Sequence, residues 1–216
     1  EIIANSSLPD LREMISADKA EKLAEKLKNL RPGASLLTVY FGFKKPLSVL
    51  GHDKYSLAAY DPSVKSMSDI LPNNKSGFDT RSFIFVDYGQ LDSGLAAGGR
   101  SVGALCCIDY LSDWENLSRL EYEMKKEEAA GQFIARLGKL IPGIEQLIEY
   151  YEVGTARTVK RYTLAAGGSV YGFAQVPGKQ PLELSDLYSN LHIGSAWGRT
   201  GGGFSGAILG GYLTAI

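Results

Sequence analysis

Three consecutive glycines, Gly201-Gly202-Gly203, are the residues in this sequence best placed to do chemistry. They follow an apolar run, Leu191 to Trp197, that reads as a buried strand, and they precede a stretch from Phe204 to Ile216 apolar enough for a helix. Strand, glycine turn and helix together make a cradle for an anion or a cofactor. Glycine lets a backbone approach a ligand closely, and the unbonded N–H groups that open a helix, with its dipole, favour a negative group there. The triplet alone also fits a plain surface turn, so on these residues both readings stay open.

Other reactive arrangements are missing. The two histidines, His52 in a polar turn and His192 in the last strand, carry no cue that joins either to a serine or cysteine as a triad would need. Cys106 and Cys107 are adjacent in an apolar run, which suits neither a disulfide framework nor metal-ligand spacing, so they read as reduced core residues and no metal is expected. Arg157, Lys160 and Arg161 form a short basic cluster on an expected helix, read as a solvated face or as a contact for a polar substrate end or a cofactor phosphate. No G-x-G-x-x-G follows an apolar strand with an acidic residue some twenty positions on, so no dinucleotide-binding βαβ unit is expected.

The elements that must position the glycines are legible from periodicity. A strand at the start of the chain gives way to a short helix around Asp10 to Ile15, opened by Pro9. Lys19 to Leu30 has apolar residues at helical spacing, and Arg31-Pro32-Gly33 stops it. Strands are expected at Ser35 to Phe43, Tyr55 to Tyr60, Ser82 to Tyr88 and Ser101 to Asp109, with Pro72 to Thr80 a surface loop. Asn116 to Leu140 makes a long helix whose stripe of Ala130, Phe133, Ile134, Leu137, Leu140 and Ile141 faces the core, and Ile144 to Ile148 continues as a second helical segment. Four strands with helices between them predict an α+β fold: a mixed or mainly antiparallel sheet layered with helices, plus the closing strand, glycine loop and helix.

With 216 residues the chain is long enough for one large domain or two small ones, with a sizeable core. A formal net charge of −1 carries no basic excess that would point to nucleic acid or an anionic surface. Neither a transmembrane stretch nor a signal peptide is present in the sequence, so a soluble protein is expected; a peripheral apolar patch remains open.

The closing string as a whole resembles the C-terminal flavin-contacting motif of the phytoene desaturase, carotenoid isomerase and retinol saturase group of FAD-dependent oxidoreductases, within the amine-oxidase-like superfamily. Ala196-Trp197, Gly201-Gly202-Gly203 and Ser205-Gly206-Ala207 match; Ser195 stands at a usual glycine, Arg199 at a usual histidine and Thr200 at a usual proline. Further phrases keep the family's order along the chain: Asn5, the loop Asp92 to Arg100, Glu121 to Glu128, Tyr151-Glu-Val-Gly-Thr and Ser169-Val-Tyr-Gly-Phe.

The resemblance implies FAD as cofactor, contacted by Ala196, Trp197, Gly201, Gly202, Gly203, Phe204 and Ser205, with Trp197 and Phe204 flanking the ring. It implies residues 1–7 as a strand leaving the flavin domain, 8–185 as a substrate domain whose sheet walls an elongated apolar pocket, and 186–216 as the flavin-contacting end. The substrate would be a long apolar polyene or isoprenoid, changed by hydride exchange or double-bond isomerisation. Because the dinucleotide unit is absent, the chain is expected to be the C-terminal part of such an enzyme, partnered by a flavin-binding Rossmann segment and inactive alone, with no nucleic acid partner. A cytoplasmic or plastid-like soluble compartment is expected, with peripheral membrane contact open. An amine-oxidising relative and a non-catalytic apolar-ligand domain that has lost its flavin half are the alternative readings.

Overall fold

A computed structural model describes residues 1–91, 93–178, 182, 184 and 186–215. Asp92, Ile216 and the expected boundary at Ser185 lie outside the described residues. In chain order the elements are β1 (Ile2–Ala4), α1 (Leu8–Leu11), α2 (Ala17–Leu27), β2 (Ser35–Phe43), β3 (Ser56–Ala59), α3 (Met67–Asn73), β4 (Phe83–Asp87), β5 (Ser101–Asp109), α4 (Arg119–Leu140), α5 (Ile144–Leu147), β6 (Ile148–Gly154), α6 (Ala156–Thr163), β7 (Leu191–Ile193) and α7 (Gly203–Ala215). The α+β class is as expected. The chain divides into two compact units, one formed by Glu1–Ser35 with Ala156–Ile216 and the other by Leu36–Thr155.

The unit Leu36–Thr155 is built on a five-stranded sheet in the order β3-β4-β5-β2-β6, antiparallel in its β3–β4, β4–β5 and β2–β6 ladders. Burial alternates along β2 and β5, so every second side chain enters one face. That face carries Leu37, Val39, Phe41, Phe43, Phe83, Phe85, Leu105 and Cys107, all buried. Helix α4 covers part of it: the Phe133 ring meets Phe83 edge-on at 5.7 Å, and the Tyr151 hydroxyl donates to Glu127 at 2.7 Å. A reciprocal cap starts α4, with the Glu121 N–H donating to the Ser118 hydroxyl and the Ser118 N–H to the Glu121 carboxylate.

Several expectations are corrected here. β6 is a fifth strand where only a helical segment ending at Ile148 was expected; α5 stops at Leu147 and the chain extends at once. In α4, Ala129 joins the core while Leu140 is 47% exposed. The run Pro72 to Thr80 is not wholly a surface loop: α3 takes in Pro72 and Asn73, and Asn73 is buried. Its amide accepts from the Ser82 N–H at 2.8 Å and donates to the Thr80 carbonyl at 3.0 Å, doing for the loop what a backbone turn would do.

The other unit pairs β1 with β7 in parallel, Ile3 opposite His192. Its core joins Leu8, Leu11, Leu23, Phe173, Leu184, Leu187 and Trp197. The expected buried strand Leu191 to Trp197 ends at Ile193 and is half-buried, since Gly194 and Gly198 release the chain into turns. The His192 Nε2 bonds the Glu1 carboxylate at 2.6 Å and holds that carboxyl below its ordinary range.

Candidate functional site

The glycine loop lies wholly in the unit formed by Glu1–Ser35 and Ala156–Ile216. Gly201, Gly202 and Gly203 all have positive φ, at 38°, 83° and 86°, a run that residues with a Cβ do not sustain. Two of the loop's glycines also serve internal packing. A Cβ on Gly206 would collide with the Gly201 carbonyl oxygen, and one on Gly201 would stand 2.5 Å from the Gln175 amide nitrogen. Gly202 differs: it is exposed, and the nearest atom to an added Cβ is Gln175 Cγ at 3.5 Å. The backbone at Gly202 therefore stands open where α7 begins, with half-buried Gly203 and the exposed first-turn residues Phe204 and Ser205 beside it.

Residues distant in sequence brace this loop. The Gly202 N–H donates to the Tyr171 carbonyl at 3.3 Å, and the Tyr171 ring would lie 3.3 Å from a Cβ on Gly203. Gly172, at φ 74°, packs against the Ala196 carbonyl so closely that no Cβ fits. Gln175 carried no sequence signal of this role; only the contact shows it. Two departures from the family phrase are explained as well. The Ser195 hydroxyl donates to the Ser6 carbonyl at 3.0 Å, and the Thr200 hydroxyl donates to the Gly206 carbonyl at 2.6 Å, tying the loop into the first turn of α7.

The aromatic pair does not share a surface. Trp197 is 6% exposed and meets Phe173 edge-on at 4.8 Å in the core, whereas Phe204 is 89% exposed. Ala196 is half-buried, its carbonyl turned to Gly172. Gly202, Phe204 and Ser205 thus form the open part of the site, with Gly203 against the Tyr171 ring and Trp197 in the core. What the loop offers an anionic or cofactor group is backbone: consecutive left-handed glycines with space above Gly202, leading into a 13-residue helix whose first turn holds no acidic side chain.

In the unit Leu36–Thr155, the second face of the sheet carries Thr38, Tyr40, Ile84, Val86, Ala104, Cys106 and Tyr150, half-buried or exposed. These are mostly apolar and small, and Tyr40, Ile84 and Tyr150 are each more than half exposed. Thr38 Oγ1 and Cys106 Sγ lie 3.4 Å apart on this face, and burial pushes the Cys106 thiol up. Behind it Cys107 is pushed to about 12 by burial. A thiol held neutral this strongly is no nucleophile.

The sequence matches no known family model. Part of it is similar to prolycopene isomerases: 45% identical over 83 residues to the chloroplastic enzyme of Arabidopsis thaliana, covering 38% of this chain. The chloroplastic prolycopene isomerase of Daucus carota is 36% identical over 119 residues, 49% of this chain, and prolycopene isomerase 2 of an Oncidium hybrid cultivar is 39% identical over 101 residues. The matched parts make up only 14%, 19% and 17% of those relatives. Among the described residues no helix is long and apolar enough to cross a membrane.

Proposed function

We propose that this chain supplies the substrate side and the closing flavin contact of a FAD-dependent oxidoreductase or isomerase acting on a long apolar polyene or isoprenoid, in a plastid-like compartment. The observation that carries the reading is the run of three left-handed glycines at the open start of α7, in a chain similar in part to prolycopene isomerases.

When bound, the flavin supplies hydride exchange with a substrate carbon. The chain's own contribution is position and charge. The backbone N–H groups at Gly203, Phe204 and Ser205, at the positive end of α7, would favour negative charge on a bound cofactor, and Gly202 would leave room for close approach. The alternating face of β2, β4 and β5, with Thr38, Ile84, Val86, Ala104 and Cys106, offers a flat apolar floor suited to an extended substrate without charge. Such a substrate needs orientation and exclusion of water more than an acid or a base.

Partnership with an upstream dinucleotide-binding segment completes the proposal. A pair of parallel strands is not a stable sheet by itself, and parallel sheets are covered on both faces. Here β1 leaves Ile2 and Ile3 57% and 61% exposed, beside an apolar recess of about 550 Å³ lined by Ile2, Leu11, Met14, Ile15 and Leu191.

Titrating the purified chain with FAD, with and without a co-expressed upstream segment, tests the reading through flavin absorbance and fluorescence. Binding only in the presence of the segment is expected. If neither form takes up flavin, the glycine loop is a structural turn and the proposal fails.

A further inference from the structure

The side chain that borders the open backbone at Gly202 comes from far upstream in the sequence. Gln175 is exposed, and a Cβ added at Gly202 would meet its Cγ at 3.5 Å and its Cδ at 3.9 Å. Its Nε2 would stand 2.5 Å from a Cβ on Gly201 and donates to the Phe173 carbonyl at 2.8 Å. That bond uses one N–H of the carboxamide. The second N–H and Oε1 have no partner among the described residues.

The segment that carries Gln175 is firmly tied down. The Ala174 N–H donates to the Arg31 carbonyl at 2.9 Å, the Gly33 N–H to the Gly172 carbonyl at 2.7 Å, and the Ser169 hydroxyl to that same carbonyl at 2.6 Å. Phe173 lies in the core against Trp197. On either side of this buried ring, Tyr171 is 42% exposed and Gln175 is exposed as well. Together they frame the glycine run: Gln175 at Gly201 and Gly202, and the Tyr171 ring 3.3 Å from a Cβ on Gly203.

A carboxamide held in this way shows one acceptor and one donor side by side. The complement of that pair is a cyclic imide, in which an N–H stands next to a carbonyl. A phosphate or carboxylate only accepts, and an apolar chain would leave both polar atoms unpaired. The neighbouring aromatic ring suits a flat ligand.

We propose that Gln175 binds the isoalloxazine ring of the flavin by its imide edge, Oε1 accepting from the ring N3–H and the second N–H of Nε2 donating to an adjacent ring carbonyl. The inference rests on the flavin reading proposed above. It adds a side chain that recognises the ring, where that reading has only the backbone at the start of α7.

The chain co-expressed with the upstream dinucleotide-binding segment, titrated with FAD, 3-methyl-FAD and ADP, tests it. Flavin fluorescence follows the first two ligands and calorimetry the third. Gln175→Leu keeps the size of the side chain and loses both hydrogen bonds, so FAD binds roughly tenfold more weakly, while ADP, which has no isoalloxazine, binds as before. In the native assembly the 3-methyl group removes the N3–H and weakens binding by a similar factor; in Gln175→Leu it makes no further difference. Gln175→Glu keeps the acceptor but sets a negative charge beside the ring, and the flavin reduction potential falls. A Gln175→Leu assembly that binds FAD as tightly as the native one, or still prefers FAD to 3-methyl-FAD, would overturn the inference and leave the flavin reading standing. Equal losses for FAD and ADP, with a lower melting temperature of the flavin-free assembly, would also reject it, since the side chain would then serve only the loop. If the native assembly takes up no flavin, the reading beneath the inference fails and the inference falls with it.

Discussion

Helices α4 and α7 both carry large apolar residues and treat them in opposite ways. In α4, Phe133 and Leu137 are fully buried, and a charged opposite side meets solvent. In α7, Phe204, Ile208 and Tyr212 are 89%, 73% and 62% exposed, and no charged residue lies anywhere between Gly203 and Ala215. A helix that is apolar all round belongs in an interior. The unit Leu36–Thr155 supplies that interior for α4 from its own sheet, whereas the unit holding α7 supplies cover for only part of it. Self-sufficiency and an unmet demand for burial stand side by side in one chain, and the unmet demand falls on the element that opens at the glycine loop.

The self-sufficient unit should be the more fragile to polar surgery. Arg81 is 4% exposed and ties three segments together: its guanidinium donates twice to the Ser76 carbonyl, once to the Ile108 carbonyl, and lies 3.6 Å from the buried Asp109 carboxylate. Asp109 in turn accepts from the Trp114 indole N–H at 2.9 Å. Arg81→Ala leaves a buried carboxylate without its cation and is expected to cost about 3–5 kcal/mol, measured by urea unfolding. A loss below about 1 kcal/mol would mean that this interior is wet and that the contrast with α7 is weaker than drawn here.

A smaller effect comes from the covered sheet face. Cys107 ionises near 9.0 when exposed and near 12 in the fold, because burial disfavours the thiolate. Between those values the unfolded chain holds fewer protons than the folded one. Stability from this group is therefore complete below pH 9 and falls as pH rises toward 12, by about 1.4 kcal/mol per pH unit. The difference in stability between the native chain and Cys107→Ala, followed from pH 8 to 11 by chemical denaturation, should shrink with that slope. A pH-independent difference would show that water reaches the face.

What the sequence made legible follows the same division. β2 and β5 are long runs rich in apolar, aromatic or β-branched residues, and their limits agree with the expectation residue for residue. β6 escaped notice because Glu149 and Glu152 interrupt its apolar pattern; as an edge strand it needs only Val153, and in part Tyr151, to face inward. Asn73 escaped because a polar residue among turn formers reads as solvated, and nothing local shows that it closes a loop from within. In the glycine loop, the three left-handed residues were visible as glycines, while Tyr171 and Gln175, which brace them, lie some thirty residues upstream in a segment with no periodicity. Local conformation is written in residue type. The contacts that make it a site are not.

The smallest expected effect is the sharpest test of the comparison. Changing Phe204 and Ile208 together to Ser removes two large apolar side chains, which at core positions of α4 would cost several kcal/mol. At their observed exposure they bury little in this fold, so the stability of the isolated chain should change by no more than about 0.5 kcal/mol. Self-association and binding of an apolar dye should fall, because the patch that drives them is gone. The same double substitution in the chain co-expressed with an upstream dinucleotide-binding segment should weaken the assembly and its uptake of flavin. If the isolated chain instead loses several kcal/mol, α7 already has its cover within this fold, and the apolar face is core rather than a surface awaiting a partner.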